Sequence, residues 1–86
     1  MKLPSVYFDW NPILIALRRE VCPTARWRKQ RRHWDMQTDD VRLFLDAAHA
    51  RLEFAKRQAQ VCVDDVVWVV GFVQGAPYRL TKVAIT

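Results

Sequence analysis

The sequence is poor in the residues from which cofactor and metal sites are usually built. Its 86 residues include only two glycines, two histidines and two cysteines. Two glycines are too few to favour a glycine-rich phosphate loop, and neither a Walker motif nor G-x-G-x-x-G is present. The histidines and cysteines lack the repeated spacing of zinc ligands. We therefore expect no cofactor, no metal ion and no catalytic residues, and we do not expect an enzyme.

Disulfide bonds and membrane spans are not predicted either. Cys22 and Cys62 do not form a disulfide-rich pattern, so we expect buried thiols in a reducing compartment. The most apolar run, residues 66–73, is too short to cross a membrane as a helix. The first residues do not resemble a signal peptide. We expect a single cytoplasmic domain over residues 1–86 that has no membrane partner and is a monomer or a weak dimer.

The chain is rich in positive charge and in apolar residues. Its formal net charge is +5 and its hydrophobic fraction is 51%, so the composition indicates a folded, basic domain. A basic surface suits a polyanion such as nucleic acid, although many other soluble proteins share this balance. The charge is concentrated in residues 25–36, which we call the basic hairpin.

A strand period places alternate side chains of the basic hairpin on two opposite faces. Residues 29–32 form the expected loop between its two strands. The expected cross-strand pairs are Arg26 with Asp35, Trp27 with Trp34, and Arg28 with His33. Opposite-charge and aromatic pairs are favourable in sheets. The tryptophans share an apolar face with Met36, so we expect both to lie mainly in the core. An exposed tryptophan that stacks on an unpaired base is the alternative. The candidate nucleic-acid contacts are Arg26, Arg28, Lys29, Arg31, Arg32 and His33.

The basic hairpin lies between two predicted helices. Residues 3–10 alternate like a strand, and Asn11 and Pro12 are a good cap and first residue for the helix that Pro23 ends. Thr38 is the expected cap of a second helix over about residues 39–58. Besides its main apolar stripe, that helix has a second, weaker line of apolar residues, which we call the side line. The side line is either the flank of one wide buried face or a surface that contacts a partner. Its members are Leu43, Ala47, Ala50 and Phe54.

Five polar or small residues in the second half have ordinary structural explanations. We expect His49 and Glu53 to form surface ion pairs on the outer face of the second helix. Asp64 and Asp65 read as a turn into a strand rather than as a metal site. Gly71 indicates a bulge or a close approach.

The fold class expected from this order is α+β. Residues 61–73 read as one central strand buried on both faces, residues 74–77 as a turn, and residues 78–85 as a last strand. The first six elements then match a ferredoxin-like split β-α-β-β-α-β arrangement with an additional C-terminal strand. Two helices would cover one face of an antiparallel sheet.

Several short runs of the sequence resemble the HARP (HepA-related protein) domain over about residues 5–52. The runs are VYFDWNP from Val6, ARW from Ala25 and RHW from Arg32, with Leu14 and Leu17 between the first two. In that family an extended entry, a helix, a tight aromatic hairpin and a second helix follow one another. The domain accompanies annealing helicases and helps to engage forked DNA. The resemblance implies DNA contact through Arg26, Trp27, Arg32 and Trp34.

Two functions compete at this point. The first is a small nucleic-acid-binding module that holds DNA, single-stranded or forked, with its cationic hairpin. The alternative is a phage- or plasmid-type inhibitor, similar to an anti-CRISPR protein, that occupies a surface of a larger host nucleic-acid machine. The side line of the second helix would then anchor the host protein complex.

Overall fold

The described part of the chain contains two α-helices and six β-strands. It covers residues 3–29 and 32–72 and the backbone of residues 78–82 in a computed structural model. The helices are α1 (Pro12–Val21) and α2 (Thr38–Phe54). The strands are β1 (Ser5–Phe8), β2 (Arg26–Arg28), β3 (His33–Asp35), β4 (Gln58–Val63), β5 (Val66–Gly71) and β6 (Tyr78–Lys82). The expected mixed α+β class is confirmed.

The strands form one sheet in the order β2-β3-β1-β4-β5-β6, and all neighbouring strands are antiparallel. Strand β1 therefore lies inside the sheet, and β2 lies at an edge. One face carries the core, because the paired residues Val6 and Trp34 are both buried there. Leu14 from α1 and Phe44 from α2 belong to the same core, so both helices pack on this face. Tyr7 points to the opposite face and is exposed.

Helix α1 begins and ends where the sequence predicts. The side-chain oxygen of Asn11 accepts a hydrogen bond from the Ile13 N–H at 2.9 Å, and Pro12 is the first helical residue. Cys22 caps the other end, where its N–H donates to the Arg18 carbonyl at 2.8 Å. Its side chain is fully buried, and burial raises the pKa of the Cys22 thiol to about 11.

Helix α2 begins with a different cap and ends earlier than expected. Gln37 is the cap residue and its side chain makes no capping bond, so the prediction of Thr38 as the cap is wrong. At the other end, Lys56 adopts a left-handed φ of 54°. Its N–H bonds to the Glu53 carbonyl at 3.0 Å, and the Arg57 N–H bonds to the Leu52 carbonyl at 2.8 Å. This is a Schellman motif, and it stops the helix before residue 58.

The single central strand expected over residues 61–73 is wrong. Strands β4 and β5 form a hairpin in which Val63 pairs with Val66 across a turn at Asp64 and Asp65. Asp64 turns the chain with a left-handed φ of 55°, which aspartate tolerates. Its N–H donates to the Ser5 carbonyl at 2.8 Å, and its carboxylate accepts from the Ser5 N–H at 3.1 Å. The turn expected at these aspartates is confirmed, and it adds a sixth strand to the five predicted.

Gly71 is the place where β5 meets the end of α2. Its φ is +103°, and a Cβ there would lie 2.6 Å from the Leu52 Cβ and would also overlap the Arg57 carbonyl oxygen. The close approach expected at Gly71 is therefore confirmed. The Gly71 N–H donates to His49 Nδ1 at 3.1 Å. His49 is half-buried and ties α2 to the sheet, so its expected place on the outer face is wrong.

The last strand is confirmed for residues 78–82, which pair antiparallel with β5. The remainder of that prediction and the turn over residues 74–77 fall outside the described residues. Among the helices that the structure describes, neither has both the length and the apolar character needed to cross a membrane.

Candidate functional site

The basic hairpin is built from β2 and β3 at one edge of the sheet. Its register is the predicted one: Arg26 faces Asp35, Trp27 faces Trp34, and Arg28 faces His33. Only β3 has a further neighbour, because β2 is the edge strand. The side chains of β2 are therefore covered less than those of β3, and all three residues of β2 are exposed.

Asp35 holds two of the predicted site residues. Its carboxylate accepts from Arg28 Nε at 2.7 Å and lies 3.0 Å from His33 Nε2. The hydrogen bond from Arg28 is the main reason that the pKa of Asp35 lies below its usual value, and His33 contributes in the same direction. His33 is only 8% exposed, so its predicted accessibility to nucleic acid is wrong. The carboxylate therefore contacts the imidazole and also neutralises Arg28.

Three other cations of the basic hairpin have no such partner among the described residues. Arg26, Lys29 and Arg32 are exposed, and within residues 3–29 and 32–72 no carboxylate oxygen lies within 4.0 Å of their charged nitrogens. Arg32 has a left-handed φ of 55°, where the chain reverses between β2 and β3. Arg31 was also predicted as a contact, and it falls outside the described residues. Free guanidinium and ammonium groups can donate to phosphate oxygens.

The two tryptophans of the hairpin differ in burial. Trp34 is 6% exposed and stacks on Phe8 with a centroid distance of 4.7 Å, so its predicted core position is confirmed. Trp27 is 45% exposed, so the same prediction is wrong for Trp27. The edge position of β2 explains the difference, because no further strand of the described sheet lies beyond it to cover the indole. Trp27 lies 4.4 Å from Trp34, with the two ring planes inclined by 44°.

Arg18 joins this aromatic group from α1, and the sequence analysis did not assign it to the site. Its guanidinium carbon lies 5.4 Å from the Trp34 ring centroid, and its Nε is buried without a hydrogen-bond partner. Loss of water around the side chain, followed by repulsion from Arg19, lowers the pKa of Arg18. One signal was available: Arg18 follows Leu14 by four residues, which places it beside the buried stripe of α1.

The predicted side line of α2 is largely accessible. Leu43 is exposed, Ala50 is exposed, Phe54 is 93% exposed, and Ala47 packs partly against the core. A groove of about 630 Å³ runs between the start of α1 and the end of α2. Its lining residues are Pro12, Ile13, Ala16, Ala50, Arg51 and Phe54. Leu43 and Ala47 do not line it.

No metal site is assembled within the residues that the structure describes, where no three histidine, cysteine, aspartate or glutamate side chains come together. No protein-family model, curated protein or solved structure matches the chain. The resemblance to the HARP domain therefore stays a prediction that depends on the quoted residues.

Proposed function

We propose that the chain is a nucleic-acid-binding module that contacts phosphates through the basic hairpin. The observation that carries this proposal is a set of exposed cations on the hairpin. Arg26, Lys29 and Arg32 are exposed and have no carboxylate partner in the part of the chain that the structure describes. Arg28, in contrast, is neutralised by Asp35. Exposed cations at the edge of a sheet attract a polyanion and gain affinity by releasing its counterions.

The chemistry of these contacts favours affinity over sequence reading. Guanidinium and ammonium groups that bind phosphate oxygens position a protein on nucleic acid without distinguishing bases. The net charge of +5 supports the same partner. The proposed relation to the HARP domain, in which Arg26 and Arg32 match family positions, makes DNA the first nucleic acid to test.

The test is a fluorescence-polarisation titration of single-stranded, forked and duplex DNA over a series of salt concentrations. We expect the logarithm of the binding constant to fall linearly with the logarithm of salt, by about 0.7–0.9 per phosphate contacted. A triple variant should reduce the slope by roughly 2–3 if each of the three cations binds one phosphate. It carries Gln in place of Arg26, Lys29 and Arg32. The matched control replaces Arg42, Lys56 and Arg57 with Gln and removes the same charge from α2 and its C-terminal end.

Two results would contradict the proposal. One is an absence of measurable DNA binding near physiological salt. The other is an equal loss of slope in the hairpin variant and in the α2 control, because binding would then depend on net charge alone.

A second candidate function is binding to a protein of a host nucleic-acid machine, as an anti-CRISPR-like inhibitor does. The observation that favours it is Phe54, a large apolar side chain left 93% exposed beside the groove between the helices. This function would gain support from two results together. The chain would bind no DNA but capture a host protein complex, and Phe54→Ser would abolish that capture. Leu43→Ser, which also removes an exposed apolar side chain but lies outside the groove, is the control.

We also propose that the first six elements, β1 to β4 with α1 and α2, follow the ferredoxin-like split β-α-β-β-α-β plan. The strand order supports this description, because β3 separates β1 from β2, and β1 separates β3 from β4. Strands β5 and β6 would then extend the sheet beyond β4.

A further inference from the structure

We infer that Arg18, Trp27 and Trp34 form a binding site for one unpaired nucleotide, whose base stacks on Trp27 and whose phosphate contacts Arg18. The inference rests on the proposed function, because the basic hairpin would bring the strand to this site. It adds a ligand of defined chemistry, and it adds a residue of α1 to a surface otherwise made by the hairpin.

Trp27 supplies a stacking platform that Trp34 already supports on its inner side. Its indole is 45% exposed, and its inner side rests on Trp34 at a centroid distance of 4.4 Å. Trp34 is itself held in the core by Phe8, whose ring is nearly parallel to it, with an interplanar angle of 5°. A base that stacks on Trp27 therefore meets a side chain that is already ordered, which reduces the entropy lost on binding.

Arg18 supplies a cation without an anion. It lies at 5.4 Å from the Trp34 ring centroid, and it forms no ion pair with any described residue. Its neighbour Arg19 adds repulsion. A guanidinium that has lost part of its water without gaining an acceptor is unfavourable in the free protein. A phosphate bound to the partly exposed Arg18 side chain would provide the missing charge.

Unsatisfied hydrogen-bond donors also point to this place. Among the side chains that the structure describes, two have a buried polar atom without a hydrogen-bond partner: the Nε of Arg18 and the Nε1 of Trp34. Folded proteins contain few such atoms, and each one costs stability. These two belong to side chains in contact with each other. Trp34 also contacts Trp27, so both atoms lie near the proposed stacking platform.

Stacking on Trp27 selects unpaired nucleotides over paired ones. A base inside a duplex has neighbours on both faces, so its ring cannot reach Trp27 without leaving the stack. A base in a single strand or at a fork presents a free face. Phosphates are common to both forms, so the basic hairpin alone would not make this distinction.

The first test compares a thymidine oligonucleotide with an abasic strand of equal length, because both carry the same phosphates. We expect the wild type to bind the thymidine strand about 5- to 140-fold more tightly, the range for one stacked base. Trp27→Ala should remove this preference and keep the affinity for the abasic strand. Trp10→Ala, which removes an exposed tryptophan before α1, should keep the preference.

The outcomes separate this inference from the proposed function. Equal affinity of the wild type for the two strands, or a preference that survives Trp27→Ala, overturns the nucleotide site and leaves phosphate binding in place. An absence of binding to both strands overturns the site together with the proposed function.

The second test concerns Arg18. We expect Arg18→Met to weaken binding to both strands and to reduce the salt slope by about 0.7, the value for one phosphate of a single strand. Arg57→Met, which removes one cation at the far end of α2, should leave the slope unchanged. A slope that Arg18→Met does not reduce would contradict the role of Arg18.

The stability of the Arg18→Met variant distinguishes ligand binding from a purely structural role of Arg18. Because Arg18 has no acceptor in the described residues, Arg18→Met should unfold at a urea concentration no lower than that of the wild type. A large decrease in the urea midpoint would show that the charge stabilises the fold, and it would overturn the assignment of Arg18 to ligand binding.

Discussion

Asp35 divides the cations of the basic hairpin into two groups. Its carboxylate binds Arg28 and His33 at 2.7 and 3.0 Å, whereas Arg26, Lys29 and Arg32 have no carboxylate partner among the residues described. One acid therefore decides which basic side chains help to hold the hairpin together and which remain free for a polyanion. This division operates between side chains a few residues apart, where hydrogen bonds to a charged group are strong.

The low pKa of Asp35 predicts how the stability of the hairpin depends on pH. A carboxyl group whose pKa is lower in the folded state than in the unfolded chain stabilises the fold above the unfolded pKa of about 3.9. This contribution is lost as the pH falls through the folded value. We expect Asp35→Asn to be less stable than the wild type near neutral pH, with the difference shrinking below about pH 4. Urea unfolding of both proteins over a pH series measures it, and a difference independent of pH would contradict the role of the charge.

At the scale of elements, the C-terminal end of α2 carries a residue that is unusual for its conformation. Lys56 occupies the left-handed position of the Schellman motif, where glycine is the common residue. A side chain with a Cβ is strained there because it approaches the neighbouring carbonyl oxygen. The motif is nevertheless formed, because it satisfies the last carbonyls of α2 and turns the chain into β4.

Replacing Lys56 with Gly should stabilise the protein. Relief of the left-handed strain exceeds the extra entropy of glycine in the unfolded chain, so we expect a gain of about 0.5–1 kcal/mol in the free energy of unfolding. Lys56→Ala is the control, because it removes the same charge and retains the Cβ, and it should give no gain. Urea denaturation of the three proteins provides the comparison. Equal stability of the Gly and Ala variants would rule out the strain explanation.

Elements were predictable where short-range interactions define them. The cap at Asn11, the proline at the start of α1 and the cross-strand pairs of the basic hairpin all follow from neighbours in the sequence. The division of residues 61–73 into β4 and β5 did not follow, because an apolar run rich in valine looks alike in one strand or two. Its turn is anchored by bonds between Asp64 and Ser5, which are 59 residues apart in the chain.

For the whole molecule, the strand order predicts an order of local stability. Strand β1 is paired on both sides and contributes Val6 and Phe8 to the core. Strand β2 is paired on one side, at the edge, and its three residues are exposed. Backbone amides open most easily where few buried contacts hold them.

We expect hydrogen exchange to be slowest at the amides of β1 and faster by at least roughly tenfold at the amides of β2 under native conditions. Amide exchange followed by NMR measures both strands in one sample. The amides of β4, which is also paired on both sides, provide an internal reference for an interior strand. Protection of β2 equal to that of β1 would contradict the edge position as the reason that Trp27 is exposed.

The sequence by itself determined the charge of the chain, the order of its helices and early strands, and the register of the basic hairpin. These properties depend on composition, caps and pairs of residues close in the chain. The tertiary structure decided that Trp34 is buried while Trp27 is exposed, that His33 is buried, and that Arg18 lies beside Trp34. Burial depends on which strand lies at the sheet edge and on where α1 packs, and both are fixed by contacts between distant parts of the chain.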